Sequence, residues 1–198
     1  MKKENGKAKV LNKTEFNRVV KFQISTRHGL RNVLLLHLSF FLGLRSKEMA
    51  SLIIGDLMDV NGDLKEEVTL KRHQTKRRKQ RRFYITNDKL KKVILQYLNT
   101  RKGVNGNWDL NAPLIKNQMS GKFSSASLQQ CFKKMYESVG IDASSHSGRR
   151  SFCTNLSENG ISITNLQTLM GHQSISTTAL YINENPKILG KISEGFSL

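Results

Sequence analysis

The segment "LMGHQSISTTALYI", residues 169–182, joins a glycine-histidine pair to a tyrosine nine residues beyond the histidine. Gly171 predicts the end of a short helix at 164–170, and Ser176 predicts the start of another that runs to about residue 182. For a lone tyrosine such as Tyr181, a ring packed on the core with its hydroxyl at the surface is the ordinary explanation. A functional role for Tyr181 therefore requires partners elsewhere in the chain.

The same segment also fits a different class of protein. Residues 164–182 can form a helix-turn-helix in which "SISTTALYI" is the recognition helix of a non-catalytic DNA-binding regulator. The local sequence does not separate the two interpretations.

The composition predicts one domain that binds a polyanion. The chain has 198 residues, 33 Lys and Arg against 15 Asp and Glu, and a net charge of +18, far more than solubility requires. DNA or RNA is favoured over a membrane, because the densest basic cluster lies between strand-like segments rather than on an amphipathic helix. The two cysteines, Cys131 and Cys153, form no CxxC pair, which indicates the reducing interior of a cell.

The pattern of apolar residues predicts a mainly α fold with a small three-stranded antiparallel β-sheet. The run "NVLLLHLSFFLGL", residues 32–44, is too short to span a membrane and predicts a core helix within 29–42. The other predicted helices are one capped by Thr14, one capped by Ser46, one capped by Asn87 or Asp88, and further ones at 125–138 and 147–158. The predicted strands are "LMDV", "EEVTLK" and "RRFYI", with a tight turn at Asn61-Gly62 between the first two.

A strongly basic loop, "KRHQTKRRKQRR", separates the second and third predicted strands. Its charges repel one another, so an anionic partner is needed to order it, and phosphates of a nucleic acid fit that requirement. The residues expected to contact DNA are Lys71, Arg72, Arg77, Arg78, Lys79, Arg81 and Arg82.

Two further motifs carry candidate site residues. Arg45 stands directly before a short helix and three residues ahead of Glu48, so the carboxylate can reach back to orient the guanidinium. An ordinary surface ion pair would explain this spacing, but Arg45 follows an apolar run, where a charge needs a partner such as a phosphate. His146 and Arg149 lie on one side of a helix start, and no Cys or His stands at zinc-ligand spacing around His146.

In chain order, Arg45 with Glu48, a hairpin lysine, His146 and Arg149, Gly171-His172 and Tyr181 resemble the catalytic domain of the tyrosine recombinases, the phage integrase family. The resemblance covers about residues 14–187. It implies a site-specific DNA recombinase that cleaves and rejoins DNA through a 3′-phosphotyrosine, with no metal and no cofactor, to integrate, excise or invert a segment. A type IB topoisomerase of the same fold is the other catalytic alternative.

The resemblance also assigns roles. Arg45 and Arg149 would grip the scissile phosphate, His146 and His172 would complete the cage, and Tyr181 would be the nucleophile. The hairpin lysine that protonates the leaving 5′ oxygen would be Lys76, with Lys79 as the second choice.

The chain departs from the family pattern in three ways. Gly148 replaces a usually apolar residue and is expected to weaken local packing, and Arg150 replaces a frequent histidine. A basic, flexible arm at 1–13 replaces the N-terminal core-binding domain, as in the short fimbrial phase-switch recombinases or in an excised catalytic domain. A tail at 188–198 would dock either on its own domain or on a neighbouring protomer.

The partners implied by the resemblance are double-stranded DNA and other copies of the chain. We expect a homo-tetramer on paired DNA sites, a monomer or weak dimer when free, room for accessory DNA-bending proteins, no membrane, and a bacterial or phage-encoded protein of the cytoplasm.

Overall fold

The computed structural model describes residues 8–75, 80–119 and 121–181. Within these residues the chain forms nine helices and two strands. The bounds are α1 Lys13–Ile24, α2 Gly29–Leu42, α3 Ser46–Ser51, α4 Ile54–Leu57, β1 Glu67–Leu70, β2 Arg81–Tyr84, α5 Asp88–Asn99, α6 Ser125–Glu137, α7 Ser147–Glu158, α8 Ile163–Met170 and α9 Ile175–Ala179.

The core is built around α2, as its apolar run predicts. Leu34, Leu35, Leu36 and Leu38 are at most 1% exposed, and α2 packs against α1, α5 and α7. Phe16 of α1 stacks on an α2 aromatic ring, Phe40, with ring centroids 4.1 Å apart. Burial of this many apolar side chains on one helix supplies the hydrophobic stabilisation that holds the other helices in place. No helix in the described part of the chain is long and apolar enough to cross a membrane.

The sheet is smaller than predicted. β1 and β2 pair antiparallel, with Val68 opposite Phe83 in the core, whereas the predicted first strand contributes one isolated bridge, Met58 to Leu64. The expected turn is present, but the Asp59 carboxylate accepts hydrogen bonds from backbone N–H groups within it. Such local bonds compete with a strand ladder, so the described residues hold two strands instead of three.

Part of the segment predicted to be a flexible arm, residues 8–12, is packed on the fold. The cap of α1 is Asn12 rather than Thr14. Leu11 is 1% exposed, and its backbone N–H donates to Ser151 Oγ of α7 at 2.7 Å. Arg150, the residue before Ser151, donates to the carbonyl of Ala8. Residues 8–12 are therefore attached to the helix that carries Arg149, and residues 1–7 of the predicted arm lie outside the described residues.

Gly148 brings α7 close to α2. A Cβ atom at Gly148 would lie 2.5 Å from Ser39 Oγ and 3.0 Å from Ser39 Cβ. Both residues are buried, so the expectation that Gly148 weakens local packing is wrong: the missing side chain is what allows the two helices to approach.

Candidate active site

Arg45 and Glu48 make the contact that their spacing predicts. Arg45 directly follows Leu44 and is the N-cap residue of α3, and Glu48 is the third residue of that helix. Glu48 Oε1 accepts from Arg45 Nη1 at 2.6 Å, and Oε2 accepts from the Arg45 backbone N–H at 2.8 Å. The Arg45 side chain is 23% exposed, while that of Glu48 is fully buried. The buried Glu48 carboxylate thus orients the guanidinium of Arg45, which remains partly exposed to solvent.

Arg81 is the second cation on Glu48, and its position corrects a sequence prediction. Its guanidinium donates to Glu48 Oε2 at 2.6 Å, to the Leu42 carbonyl at 2.8 Å and to the Leu169 carbonyl at 2.8 Å. Arg81 is 4% exposed, so it is not one of the loop residues that can face DNA. Strand alternation explains this, because Arg81 shares the inward face of β2 with Phe83, whereas Arg82 points outward.

Arg149 is anchored by backbone carbonyls. It lies on the first turn of α7, is 4% exposed, and donates to the Gly43 carbonyl at 2.5 Å and to the Met170 carbonyl at 2.6 Å. Those carbonyls lie at the C-terminal ends of α2 and α8, which carry partial negative charge. The helix ends therefore orient Arg149 without neutralising it.

His172 and Tyr181 form the other side of the site. Their rings stack with centroids 5.7 Å apart and an interplanar angle of 18°. His172 follows Gly171, which ends α8 in the left-handed conformation, and its Nδ1 is 3.0 Å from Thr178 Oγ1. Thr178 is fully buried on α9, and the sequence analysis did not single it out.

Four of these residues, Arg45, Glu48, Arg81 and His172, border one cavity of about 530 Å³. Its lining includes Arg45, Glu48, Arg81, His172 and the polar side chains Thr75, Gln80, Gln167, Thr168, Gln173 and Thr177. Two guanidiniums, those of Arg45 and Arg81, contact the Glu48 carboxylate, and the charge of Arg149 also lowers the pKa of Glu48. Three positive charges against one negative leave two in excess, so the site is electrostatically suited to an anion.

The pKa values of the site residues are shifted by burial and by that excess of positive charge. Burial raises the pKa of Glu48, but the attraction of Arg81, Arg45 and Arg149 outweighs it, so the net pKa is below the usual value. Burial, followed by repulsion from Arg81 and Arg45, lowers the pKa of Arg149 to about 9. Burial, followed by repulsion from Arg149, Arg45 and Arg81, lowers the pKa of His172 to about 4, so its imidazole is neutral at pH 7.

The remaining predicted residues fall into three groups. His146 is the exposed N-cap residue of α7, three positions before Arg149. Lys71, Arg72 and Arg82 are exposed, as a DNA-contacting role requires. The predicted residues Lys76, Arg77, Arg78 and Lys79 lie outside the described residues, and the residues on either side of them, Thr75 and Gln80, line the cavity.

Two alternatives can be compared with the geometry. Among the described residues, no three His, Cys, Asp or Glu side chains cluster in a way that could hold a metal ion. The predicted recognition helix is helical only over Ile175–Ala179 within the described residues, and its Thr178 is buried against His172. That is a poor surface for reading bases, so a helix-turn-helix regulator is not favoured.

The chain belongs to the phage integrase family, whose model matches residues 9–187. It is similar to the tyrosine recombinase XerA of Pyrococcus horikoshii, with 31% identity over 179 residues that make up 88% of this chain and 58% of that protein. It is also similar to the tyrosine recombinase XerD of Oceanobacillus iheyensis, with 26% identity over 91% of this chain and 59% of the relative.

Solved structures share the fold. A crystal structure of XerA recombinase superposes with a TM-score of 0.74 at 21% identity, over 96% of this chain and 66% of that one. The XerH site-specific recombinase bound to palindromic difH substrate gives a TM-score of 0.70 at 24% identity, over 95% of this chain and 53% of that one. The chain thus spans somewhat more than half the length of the curated relatives given above.

Proposed function

We propose that this protein is a site-specific DNA recombinase that cleaves and rejoins double-stranded DNA through a tyrosine-linked intermediate. The observation that carries the proposal is the cluster of three cations beside an imidazole stacked on Tyr181: Arg45 and Arg81 share the Glu48 carboxylate, and Arg149 joins the same helix ends as Arg81. The family and its DNA-bound relatives support DNA as the substrate.

In the proposed step, Tyr181 Oη attacks a phosphorus atom of the DNA backbone. The new O–P bond forms as the bond to the 5′ oxygen breaks, which gives a 3′-phosphotyrosine and a free 5′-hydroxyl. The phenolic proton goes to a base, for which His146 is the proposed group, and the leaving oxygen takes a proton from Lys76, with Lys79 as the second choice. The reverse reaction with another 5′-hydroxyl rejoins the strands, so no external energy source is required.

Arg45 and Arg149 are the proposed ligands of the non-bridging phosphate oxygens. A guanidinium has five N–H donors in a fixed fork, and the contact with Glu48 uses one donor of Arg45. Negative charge builds on these oxygens in the five-coordinate transition state, and losing one such donor group costs on the order of 3 kcal/mol in other enzymes. Preorganisation by Glu48 and by the helix-end carbonyls is what makes these two cations effective.

His172 acts in this proposal as a neutral hydrogen-bond donor. With its pKa near 4 it is neutral at pH 7, so it is not a general acid there but keeps one ring N–H. We assign the Thr178 hydroxyl as the donor to Nδ1, which leaves the ring hydrogen on Nε2, from where it can donate to a phosphate oxygen. Thr178 is therefore part of the proposed site although it does not touch the substrate.

DNA is held by charge around the site. Lys71, Arg72 and Arg82 are exposed, and we assign Arg77, Arg78 and Lys79 to the same contact with DNA on sequence grounds. We also propose a homo-tetramer on paired DNA sites, with the tail at 188–198 docking on a neighbouring protomer; this tail lies outside the described residues.

The test is covalent capture on DNA. A duplex that carries a nick near the cleavage position loses a short strand after attack, so the enzyme stays attached to the 3′ phosphate. The wild-type chain should give an adduct that survives denaturant, and Tyr181→Phe should give none while binding the same DNA. Because Phe keeps the ring that stacks on His172, the pair differs in the nucleophilic oxygen alone. An adduct that persists in Tyr181→Phe would refute the assignment of the nucleophile.

A further inference from the structure

We propose that Arg81 is a positioning residue of the recombinase site, which fixes the part of the site that carries Arg45 against the part that carries His172. The proposal rests on the proposed function. It concerns a residue that the sequence analysis placed among the DNA contacts and that the fold buries.

The contacts of Arg81 reach three separate segments. Its Nη1 donates to Glu48 at 2.6 Å, and Glu48 in turn holds Arg45. Its Nη2 donates to the Leu42 carbonyl at the end of α2, and its Nε donates to the Leu169 carbonyl, three residues before His172. Each contacted residue therefore lies within three residues of Arg45 or His172, the groups proposed to touch the phosphate.

Arg81 and Arg149 form a pair between the same two helix ends. Arg149 bridges the carbonyls of Gly43 and Met170, and Arg81 bridges those of Leu42 and Leu169. Both guanidiniums complement the negative ends of the α2 and α8 dipoles. Arg149 contacts the two helix ends. Arg81 contacts both helix ends and also donates to the Glu48 carboxylate, so it is the residue that links them.

Gly171 gives independent support for this role. A Cβ atom there would lie 2.9 Å from Arg81 Cδ and 3.2 Å from its Cγ. A side chain at position 171, directly before His172, would therefore collide with the Arg81 side chain. The glycine at 171 meets two requirements at once, the left-handed backbone at φ +59° and the space that Arg81 occupies.

Arg81 acts through other residues rather than on the substrate. It is 4% exposed, and its donors are directed at a carboxylate and at carbonyl oxygens of the protein. Reactions that depend on alignment lose on the order of 100-fold in rate when a group is misplaced by about 1 Å. We therefore expect changes at Arg81 to reduce the cleavage step much more than DNA affinity.

The first experiment compares Arg81→Lys with Arg101→Lys. Arg101 is a matched control, because it also donates to a backbone carbonyl, Leu114, and to the Tyr97 hydroxyl, on elements outside the site. Lysine keeps the charge but cannot bridge three segments with a planar fork. Each chain is assayed well below its unfolding midpoint, for DNA affinity by equilibrium titration and for the rate of adduct formation at saturating DNA.

We expect Arg81→Lys to lower the rate constant at saturating DNA by on the order of 100-fold. Its DNA affinity should stay within about threefold of wild type, because the total charge is unchanged. Arg101→Lys should retain the wild-type rate. A role in folding alone would lower the folded fraction without changing the rate per folded molecule, so this split separates positioning from stability.

A second pair decides the question if Arg81→Lys does not fold. Gly171→Ala pushes on Arg81 without changing any charge, and Gly160→Ala carries a similar backbone strain at φ +77° with nothing within 4 Å of the added methyl. The rate at saturating DNA should fall by tenfold or more in Gly171→Ala, as expected for misalignment, and stay at the wild-type value in Gly160→Ala.

The outcomes separate this inference from the proposed function. Failure of the wild-type chain to form any adduct overturns both. An adduct from wild type, with undiminished rates in Arg81→Lys or, where that chain does not fold, in Gly171→Ala, overturns the Arg81 assignment alone. A loss confined to DNA affinity also overturns it, because Arg81 would then be acting on binding.

Discussion

Replacing Gly148 by alanine tests the close approach of α7 to α2, on which the position of Arg149 depends. In an open helix this change stabilises by about 0.5–1 kcal/mol, because glycine loses more backbone entropy on folding. Here the new Cβ would lie 2.5 Å from Ser39 Oγ and 3.2 Å from the Ser39 backbone carbon, so the helices must separate.

The expected sign follows from comparing the two effects. Overpacking of a well-packed core costs about 1–3 kcal/mol, which exceeds the helix-propensity gain. We expect a net destabilisation of about 1–2 kcal/mol, measured by urea unfolding, and a lower unfolding midpoint by about 2–8 °C. The cleavage rate at saturating DNA should fall as well, since Arg149 is the next residue.

Ser39→Ala provides the internal control. Among the described residues, Ser39 Oγ has no hydrogen-bond partner although it is buried, so its removal should be neutral or stabilising. In the double variant the shortest contact becomes 3.0 Å, to Cβ, and part of the lost stability should return. Gly121→Ala, whose added methyl makes only contacts of 3.5 Å or longer, should change stability by less than about 0.5 kcal/mol. The reasoning is refuted if Gly148→Ala is as stable as wild type, or if Ser39→Ala recovers nothing.

Three other predictions concern charge. Arg149→Ala should lower adduct formation by about 100-fold or more while DNA affinity changes little, as measured by suicide-substrate cleavage beside equilibrium binding; comparable cleavage would exclude Arg149 from the phosphate cage. Replacing both Lys71 and Arg72 by glutamine should weaken binding to all sequences alike and lower the slope of log affinity against log salt by about 2, and an unchanged slope would mean that neither side chain meets a phosphate. Because the folded-state pKa of His172 is near 4, below its unfolded value of 6.5, the unfolded chain binds a proton first as pH falls. Between pH 6.5 and pH 4 the free energy of unfolding should therefore fall less in His172→Asn than in wild type. It is measured by urea unfolding at several pH values, and an equal fall in both chains would contradict the depressed pKa.

Local patterns predicted most of the helices because each rests on nearby residues. Residues 32–39 of the apolar run are buried on α2, Asn87 caps α5, and Gly171 ends α8. The sheet was predicted less well, because the turn at 59–63 satisfies its own backbone groups through Asp59 instead of extending a ladder. Pairing depends on competition between local and long-range bonds, which a single strand pattern does not reveal.

The sequence by itself determined the family, since side chains in a recurring order are a property of the chain, and it determined the contact of Arg45 with Glu48, since three residues separate them on a helix start. Tertiary structure alone decided the burial and the contacts of Arg81, which donates to the Glu48 carboxylate 33 residues away and to the Leu169 carbonyl 88 residues away. It also decided that Gly148 tightens the packing of α7. The physical reason is the same in both cases: burial and charge pairing depend on which distant segments meet, and that is set by the packing of the whole core.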